Sequence, residues 1–393
     1  MGTRVGIVSA VRTPIGRFLG AFQNVTAVEL GIRATREALR LAGIDGKEVD
    51  EFIYGNARQA GSGPNPARQV SFFSGMGEKV PAYTLNMACA SSVKAVTLGA
   101  EAIMLGNADI VVAGGTENMT RVPFMFEDFR WGYRMGHAKV LDGMYRDGLF
   151  CPVAEMIMGE TAETLAEMHK ITREEQDRYA MQSQHRAEAA ADRGVFKEEI
   201  VAVEVKGRKG KTTLVEADEH PRRGVTMEQL AKLPPVFKKD GTITAGNSSG
   251  ITDAAGTVVL MSEEAMKSRG LEPLVYVGAS TEVGVDPKIM GISPVPACRK
   301  LFEKTGLTMD DFDVVELNEA FAAQVLAVAK EIPIDWEKTN VNGGSIALGH
   351  PIGMTGIRQI LTLAHEMKRR NASKGLVTLC VSGGLGMALV LER

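Results

Sequence analysis

Cysteine is scarce in this chain: four in 393 residues, at positions 89, 151, 298 and 380, with no Cys-x-x-Cys pair and no adjoining histidine pair. That spacing argues against a disulfide framework and against the common structural zinc sites, and it suits a reducing compartment. An excess of one charge sign is also missing. Lys and Arg total 45 against 48 for Asp and Glu, a net charge of −3, so nothing favours nucleic acid or an anionic membrane surface as a partner. No apolar run reaches the roughly twenty residues of a membrane-crossing helix. The start, Met1-Gly2-Thr3-Arg4-Val5-Gly6, lacks the Ser or Thr of a myristoylation signal, and Leu391-Glu392-Arg393 is no peroxisomal ending. A cytoplasmic protein with no membrane or nucleic-acid partner is expected.

What is present is a globular composition, 45% hydrophobic and 24% charged, in a chain long enough for more than one core. Two stretches repeat the same pattern. Leu41-Ala42-Gly43-Ile44 followed by Asp50-Glu51-Phe52-Ile53 parallels Lys304-Thr305-Gly306-Leu307 followed by Asp313-Val314-Val315-Glu316, with Gly and Asp seven apart both times. Helical spacing over 27–42, stopped by Gly43, precedes a strand over 49–54. Further on, Val93, Val96, Ala100, Ile103 and Met104 share a helical face ahead of a buried strand at 110–115. Ile357, Ile360, Leu361, Ala364 and Met367 do the same ahead of a strand at 376–381. Two similar α/β halves, related by a pseudo-two-fold, would bring corresponding strand ends to one site. The repeat is lost over 119–246, where a helix over 173–193 and a hairpin with alternating Val201, Val203 and Val205 are expected. The domain division is therefore 1–118, completed by about 247–270, then an inserted loop domain at 119–246, then 271–393.

Two cysteines lie where apolar strand-like runs end, Cys89 in Asn86-Met87-Ala88-Cys89-Ala90-Ser91-Ser92 and Cys380 in Thr378-Leu379-Cys380-Val381-Ser382-Gly383-Gly384. A thiol at a strand end that opens a helix or a glycine turn meets free backbone N–H groups, which favour a thiolate and can hold an oxyanion. A single buried cysteine is more often an inert small hydrophobe. The third element is Asn342-Gly343-Gly344-Ser345-Ile346-Ala347-Leu348-Gly349-His350-Pro351-Ile352-Gly353-Met354-Thr355-Gly356, a shaped turn around one histidine able to act as a base near neutral pH.

These motifs, with Asn318-Glu319-Ala320-Phe321-Ala322, Ile7-Val8-Ser9-Ala10-Val11-Arg12-Thr13-Pro14-Ile15-Gly16 and Thr244-Ala245-Gly246-Asn247-Ser248-Ser249-Gly250, stand in thiolase order, and the chain resembles a thiolase from end to end. The resemblance implies a five-layered α-β-α-β-α fold of two similar halves with an inserted loop domain. It implies acyl transfer through a thioester on Cys89, with His350 as its base and Cys380 as the acid/base at the α-carbon of acetyl-CoA. Asn318 would fix a water that makes one oxyanion hole with His350, and the N–H groups of Cys89 and Ser382 would make the other. Arg222 takes the place of the arginine that meets the adenine and phosphate end of coenzyme A. Met158, Leu233, Ala245, Ser249, Ala320 and Phe321 match positions lining the coenzyme A tunnel, with core packing as the competing explanation for each. Lys206, Arg208, Lys209 and Lys211 can attract phosphate, although a charged hairpin tip is usually just solvated.

The implied reaction is reversible thiolysis of 3-ketoacyl-CoA, with coenzyme A and acyl-CoA as substrates and no permanently bound cofactor. A homodimer or homotetramer is implied too, and the Met-rich stretch 144–158 would be costly to leave in water. Three positions depart from the family. Ser92 stands where Gly is usual, Ser382 where Gly or Ala is usual, and Ile157 where acetoacetyl-CoA thiolases commonly have His. Ile157 tilts the expectation toward a degradative enzyme with broader chain length over an acetyl-restricted biosynthetic one. A β-ketoacyl synthase-like enzyme and a non-catalytic acyl-CoA binder compete with the thiolase reading; Cys380 in place of a second histidine weighs against the synthase.

Overall fold

The computed structural model describes residues 3–207 and 210–393. The first half begins with β1 (Val5–Arg12) and α1 (Ala27–Ala42). Thr26 caps this helix by accepting from the Glu29 N–H, and the Glu29 carboxylate accepts in return from the Thr26 N–H. Such a box is worth about 1 kcal/mol. Gly43, at φ 66°, closes the helix in a left-handed turn. There follow β2 (Glu51–Gly55), β3 (Ala82–Leu85), α2 (Ser91–Met104) and β4 (Ile110–Asn118). After the insert, β5 (Thr252–Ser262) pairs antiparallel with both β4 and β1 and completes the half.

Within the insert, α3 (Met158–Met168) and α4 (Arg173–Asp192) are the main helices. The hairpin is present as Val203–Lys206 paired with Thr212–Val215, and Val203, Val205 and Val215 pack beside Phe22 and Val25 of the first half. Arg208 and Lys209 of its tip lie outside the described residues.

The second half repeats the order with β6 (Val275–Gly284), α5 (Pro294–Thr305), β7 (Val314–Leu317), α6 (Ala322–Glu331), α7 (Ile352–Arg370), β8 (Lys374–Val381) and β9 (Leu385–Glu392). The strand order is β1-β5-β4-β2-β3 in the first half and β6-β9-β8-β7 in the second. A lone parallel bridge between Val315 and Thr339 stands where β3 pairs with β2. The two half-sheets meet edge to edge through only the pairs Gly6–Tyr276 and Ile7–Val275. What aligns them is the layer between, where α2 and α7 pack on each other and α7 also touches β4, β5, β7 and β8. Outside, α1 covers the first half-sheet and α5 the second, which gives the five layers.

That middle layer is buried on both faces because each meets a sheet, and the polar groups it carries, such as Arg358 paired with Glu316, are bonded within the fold. Val93 and Val96 of α2 and Ile357, Ile360 and Leu361 of α7 are fully buried, each contributing roughly 1.5–3 kcal/mol by leaving water. Close approach is enforced by glycine. A Cβ on Gly356 would sit 2.4 Å from Val93 Cγ2, and one on Gly115 would sit 2.3 Å from the Gly353 carbonyl oxygen. The N-termini of α2 and α7 are thereby held side by side, and with them Cys89 and His350.

Candidate active site

Cys89 follows β3 in a tight turn. Ala88 takes φ 43°, a left-handed conformation that a residue with a Cβ rarely adopts. Three bonds hold it there. Asn86 Oδ1 accepts from the Ala88 N–H, Ser91 Oγ accepts from the Met87 N–H, and the Ser91 hydroxyl donates to the Ala88 carbonyl. The turn delivers the thiol, 8% exposed, to the start of α2. His350 follows Gly349, whose φ of 101° suits glycine, and its own N–H donates to the Gly250 carbonyl.

His350 Nε2 lies 3.2 Å from Cys89 Sγ, and its Nδ1 lies 2.7 Å from Thr355 Oγ1. The Thr355 hydroxyl donates to the Pro351 carbonyl at 3.1 Å, so its oxygen accepts from His350 Nδ1–H. The lone pair of Nε2 is then aimed at the thiol, the tautomer a base requires. Burial pushes the Cys89 thiol up to about 11, against the opposing charge of Arg58 and the N–H groups of Ser382 and Cys89 itself. Burial, with the charges of Arg358 and Arg58, pulls His350 down to about 3. The helix-end environment expected to favour a standing thiolate is thus outweighed by desolvation, and the resting pair is neutral. Burial also raises Cys380 well above the usual thiol range, and the nearby Cys89 adds to this.

Cys89, His350, Cys380 and Ser382 line one cavity of about 480 Å³. The expected residues Met158, Ala245, Ser249, Ala320 and Phe321 share its walls, as does Ile157. Phe321 meets Phe237 edge to face at 6.1 Å. Arg222 reaches the cavity, whereas Arg223 pairs with Asp192 and Glu188 on the surface. Leu233 and Asn318 are not in the walls. Leu233 is half-buried against Gly246 and the second-half core. Asn318 is buried behind them, accepting from the Ser345 hydroxyl, while its Nδ2 has no partner among the described residues. Glu319 beside it ties the insert to this loop by accepting from Tyr179, Ser183, Asn340 and the Ile346 N–H.

Of the departures of sequence, Ile157 and Ser382 line the cavity and Ser92 lies behind it. Ser92 turns toward α7, where its oxygen accepts from the Ile357 N–H at 2.8 Å. Ser382 keeps a negative φ, and the left-handed conformations pass to Gly383 and Gly384. Thr355 and Arg58 were not expected at the site. Thr355 lies inside the quoted histidine motif, five residues past His350, and that position at a helix start is the one signal it offered.

Family models for the N-terminal domain of thiolase, matching residues 5–264, and for its C-terminal domain, matching 271–393, cover nearly all of this sequence. The chain belongs to the thiolase family. It is 50% identical to the acetyl-CoA acetyltransferase of Pseudomonas aeruginosa over 99% of both chains. The crystal structure of the Bacillus anthracis acetyl-CoA acetyltransferase matches with a TM-score of 0.97 at 46% identity, covering 100% of this chain and 99% of that one. Human mitochondrial 3-ketoacyl-CoA thiolase in complex with CoA matches at 0.95 and 41% identity, covering 100% and 98%.

Proposed function

We propose that this acyltransferase carries out reversible, CoA-dependent thiolysis of 3-ketoacyl-CoA through an acyl-Cys89 intermediate. The observation that carries this is the 3.2 Å approach of His350 Nε2 to Cys89 Sγ, with Nδ1 fixed by Thr355, in a cavity that Cys380 also lines. In the first half-reaction Sγ attacks the 3-keto carbon while its proton passes to Nε2. The bond between carbons 2 and 3 breaks, and Cys380 protonates the departing carbanion to give acetyl-CoA. The proton on Nε2 then restores Cys380 to the thiol, and in the second half-reaction His350, neutral again, takes the proton of incoming CoA, whose sulfur displaces Cys89 from the shortened acyl group; the departing Cys89 sulfur recovers that proton. Asn318 Nδ2 supplies the free donor that a water-holding role beside His350 needs. The Ser382 N–H, which already favours negative charge on Cys89, suits the second oxyanion hole.

Coenzyme A enters as substrate past Arg222 and the Met158, Ala245, Ser249 and Phe321 walls, under cover of the 119–246 insert. Ile157 in the wall, an apolar side chain with no proton to give, favours acyl groups longer than acetyl and a degradative role. Among the described residues no helix is long and apolar enough to cross a membrane; the proposed setting is the cytoplasm. The proposed assembly is a homo-oligomer. Met144 is buried, and Met156 and Met158 are half-buried, within the chain itself. Tyr145, Phe150 and Val153 of the same stretch are exposed, and earlier in the insert Phe129 is 68%, Trp131 80% and Met135 97% exposed.

The test is thiolysis of acetoacetyl-CoA and of a longer 3-ketoacyl-CoA, followed by loss of enolate absorbance, with intact-mass detection of the acyl adduct. Cys89→Ser is expected to lose turnover and adduct together. An adduct on Cys151 or Cys298, with Cys89 unmodified, would overturn the assignment.

A further inference from the structure

Arg58 follows β2 in the loop Asn56-Ala57-Arg58 and is 8% exposed, yet it lines the cavity together with Cys89, Met119, Leu149 and Ile352. Its guanidinium has five N–H donors, and only one bond is made, from Nη2 to the Gly148 carbonyl at 2.7 Å. Nε is sealed without a partner against Gly148, where an added Cβ would lie 2.7 Å from it. Nη1 has no hydrogen-bond partner among the described residues and is not sealed. No carboxylate of those residues comes within the 4.0 Å of an ion pair. The acidic group nearest in effect, Glu117, is consumed by the N–H groups of Ala57, Arg58 and Gly353 and by Asn56.

A guanidinium does not give up its proton, and a buried charge without a counter-ion is costly. Arg58 lines the same cavity as Cys89 and His350, and its positive charge acts on both. Arg222, proposed above to meet coenzyme A, and Arg17 line the same cavity and are free to serve its phosphate end. An anion at Arg58 must therefore come from the other part of the substrate, the acyl chain. We infer that Arg58 selects the acyl group, pairing with a carboxylate at its far end, so that the preferred substrates are 3-oxoacyl-CoA thioesters that terminate in a carboxylate. A planar fork facing a carboxylate gives directional, charge-assisted bonds that a methyl end cannot accept. This inference rests on the thiolase function proposed above.

Thiolysis by the purified enzyme of 3-oxoadipyl-CoA and of 3-oxohexanoyl-CoA compares a carboxylate with a methyl group at the end of chains of equal length. The wild type is expected to favour the carboxylate by about tenfold or more in kcat/KM, and Arg58→Met to reduce that ratio about a hundredfold, mainly through KM. Arg58→Lys should retain part of the preference. A wild-type preference for 3-oxohexanoyl-CoA, or a parallel fall on both substrates in Arg58→Met, would overturn the inference and leave Arg58 serving Cys89 or the Gly148 loop. Should Arg58→Met fail to fold, the wild-type ratio decides alone. Thiolysis of neither these substrates nor acetoacetyl-CoA would instead refute the thiolase function itself.

Discussion

At Cys89 and His350 the chemistry turns on which proton sits where. With the thiol raised to about 11 and the imidazole lowered to about 3, neither group changes charge between pH 5 and 8. The base form of His350 is lost only as pH falls toward 3, and the thiolate gathers only as pH rises toward 11. The rate of Cys89 alkylation by iodoacetamide should therefore climb with pH through the neutral range without an inflection near 6.5; such an inflection would show a histidine of ordinary basicity. Thr355→Val should lower kcat by tenfold or more with little change in KM, since Nδ1–H loses its acceptor and a buried donor left unmade costs about 1–3 kcal/mol. Cys380→Ala should still take an acyl group from acetyl-CoA onto Cys89 while net thiolysis disappears. Full thiolysis in that variant would sink the two-cysteine scheme. The two cysteines and the histidine were legible in sequence because strand ends and glycine turns leave a pattern. Thr355 and Arg58 were less so, because their roles depend on which rotamer meets which neighbour across the fold, and the neutral resting pair depends on burial that no motif reports.

At the scale of elements, α1, α2, α7 and β8 lie close to where periodicity placed them, since each has an apolar face fixed by one or two sheets. The edge-to-edge joint between half-sheets had no such signal, being two residue pairs wide. The same holds for Ser92, which stands where the family usually has Gly and is a clasp between α2 and α7. Ser92→Ala is expected to cost about 0.5–1.5 kcal/mol in urea unfolding, by removing the bond to the Ile357 N–H, with kcat changed less than threefold. A large fall in kcat at unchanged stability would place Ser92 in the chemistry after all.

For the whole molecule, the stretch carrying Phe129, Trp131 and Met135 sets several large apolar side chains in water, the kind of surface that marks an interaction site. Light scattering at micromolar concentration should return a dimer or tetramer, and Trp131→Glu with Phe129→Glu should shift it to a smaller species. A fully active wild-type monomer of about 42 kDa would refute the assembly. The sequence had pointed to the insert for this role through the stretch 144–158, whose Tyr145, Phe150 and Val153 are exposed while Met144 is buried and Met156 and Met158 are half-buried.

The bond between His350 and Cys89 joins residues 261 apart in the chain. Closing a loop of that length costs roughly 5 kcal/mol of chain entropy, and no local contact repays it, since the two partners are carried by helices from opposite halves. Newly made chain can therefore complete the whole first half, nucleophile included, while its base is still unsynthesised. The thiol spends that interval without the partner that activates it, and catalytic competence arrives only when α7 packs between the first half-sheet and a second one whose strands β8 and β9 follow it in the chain.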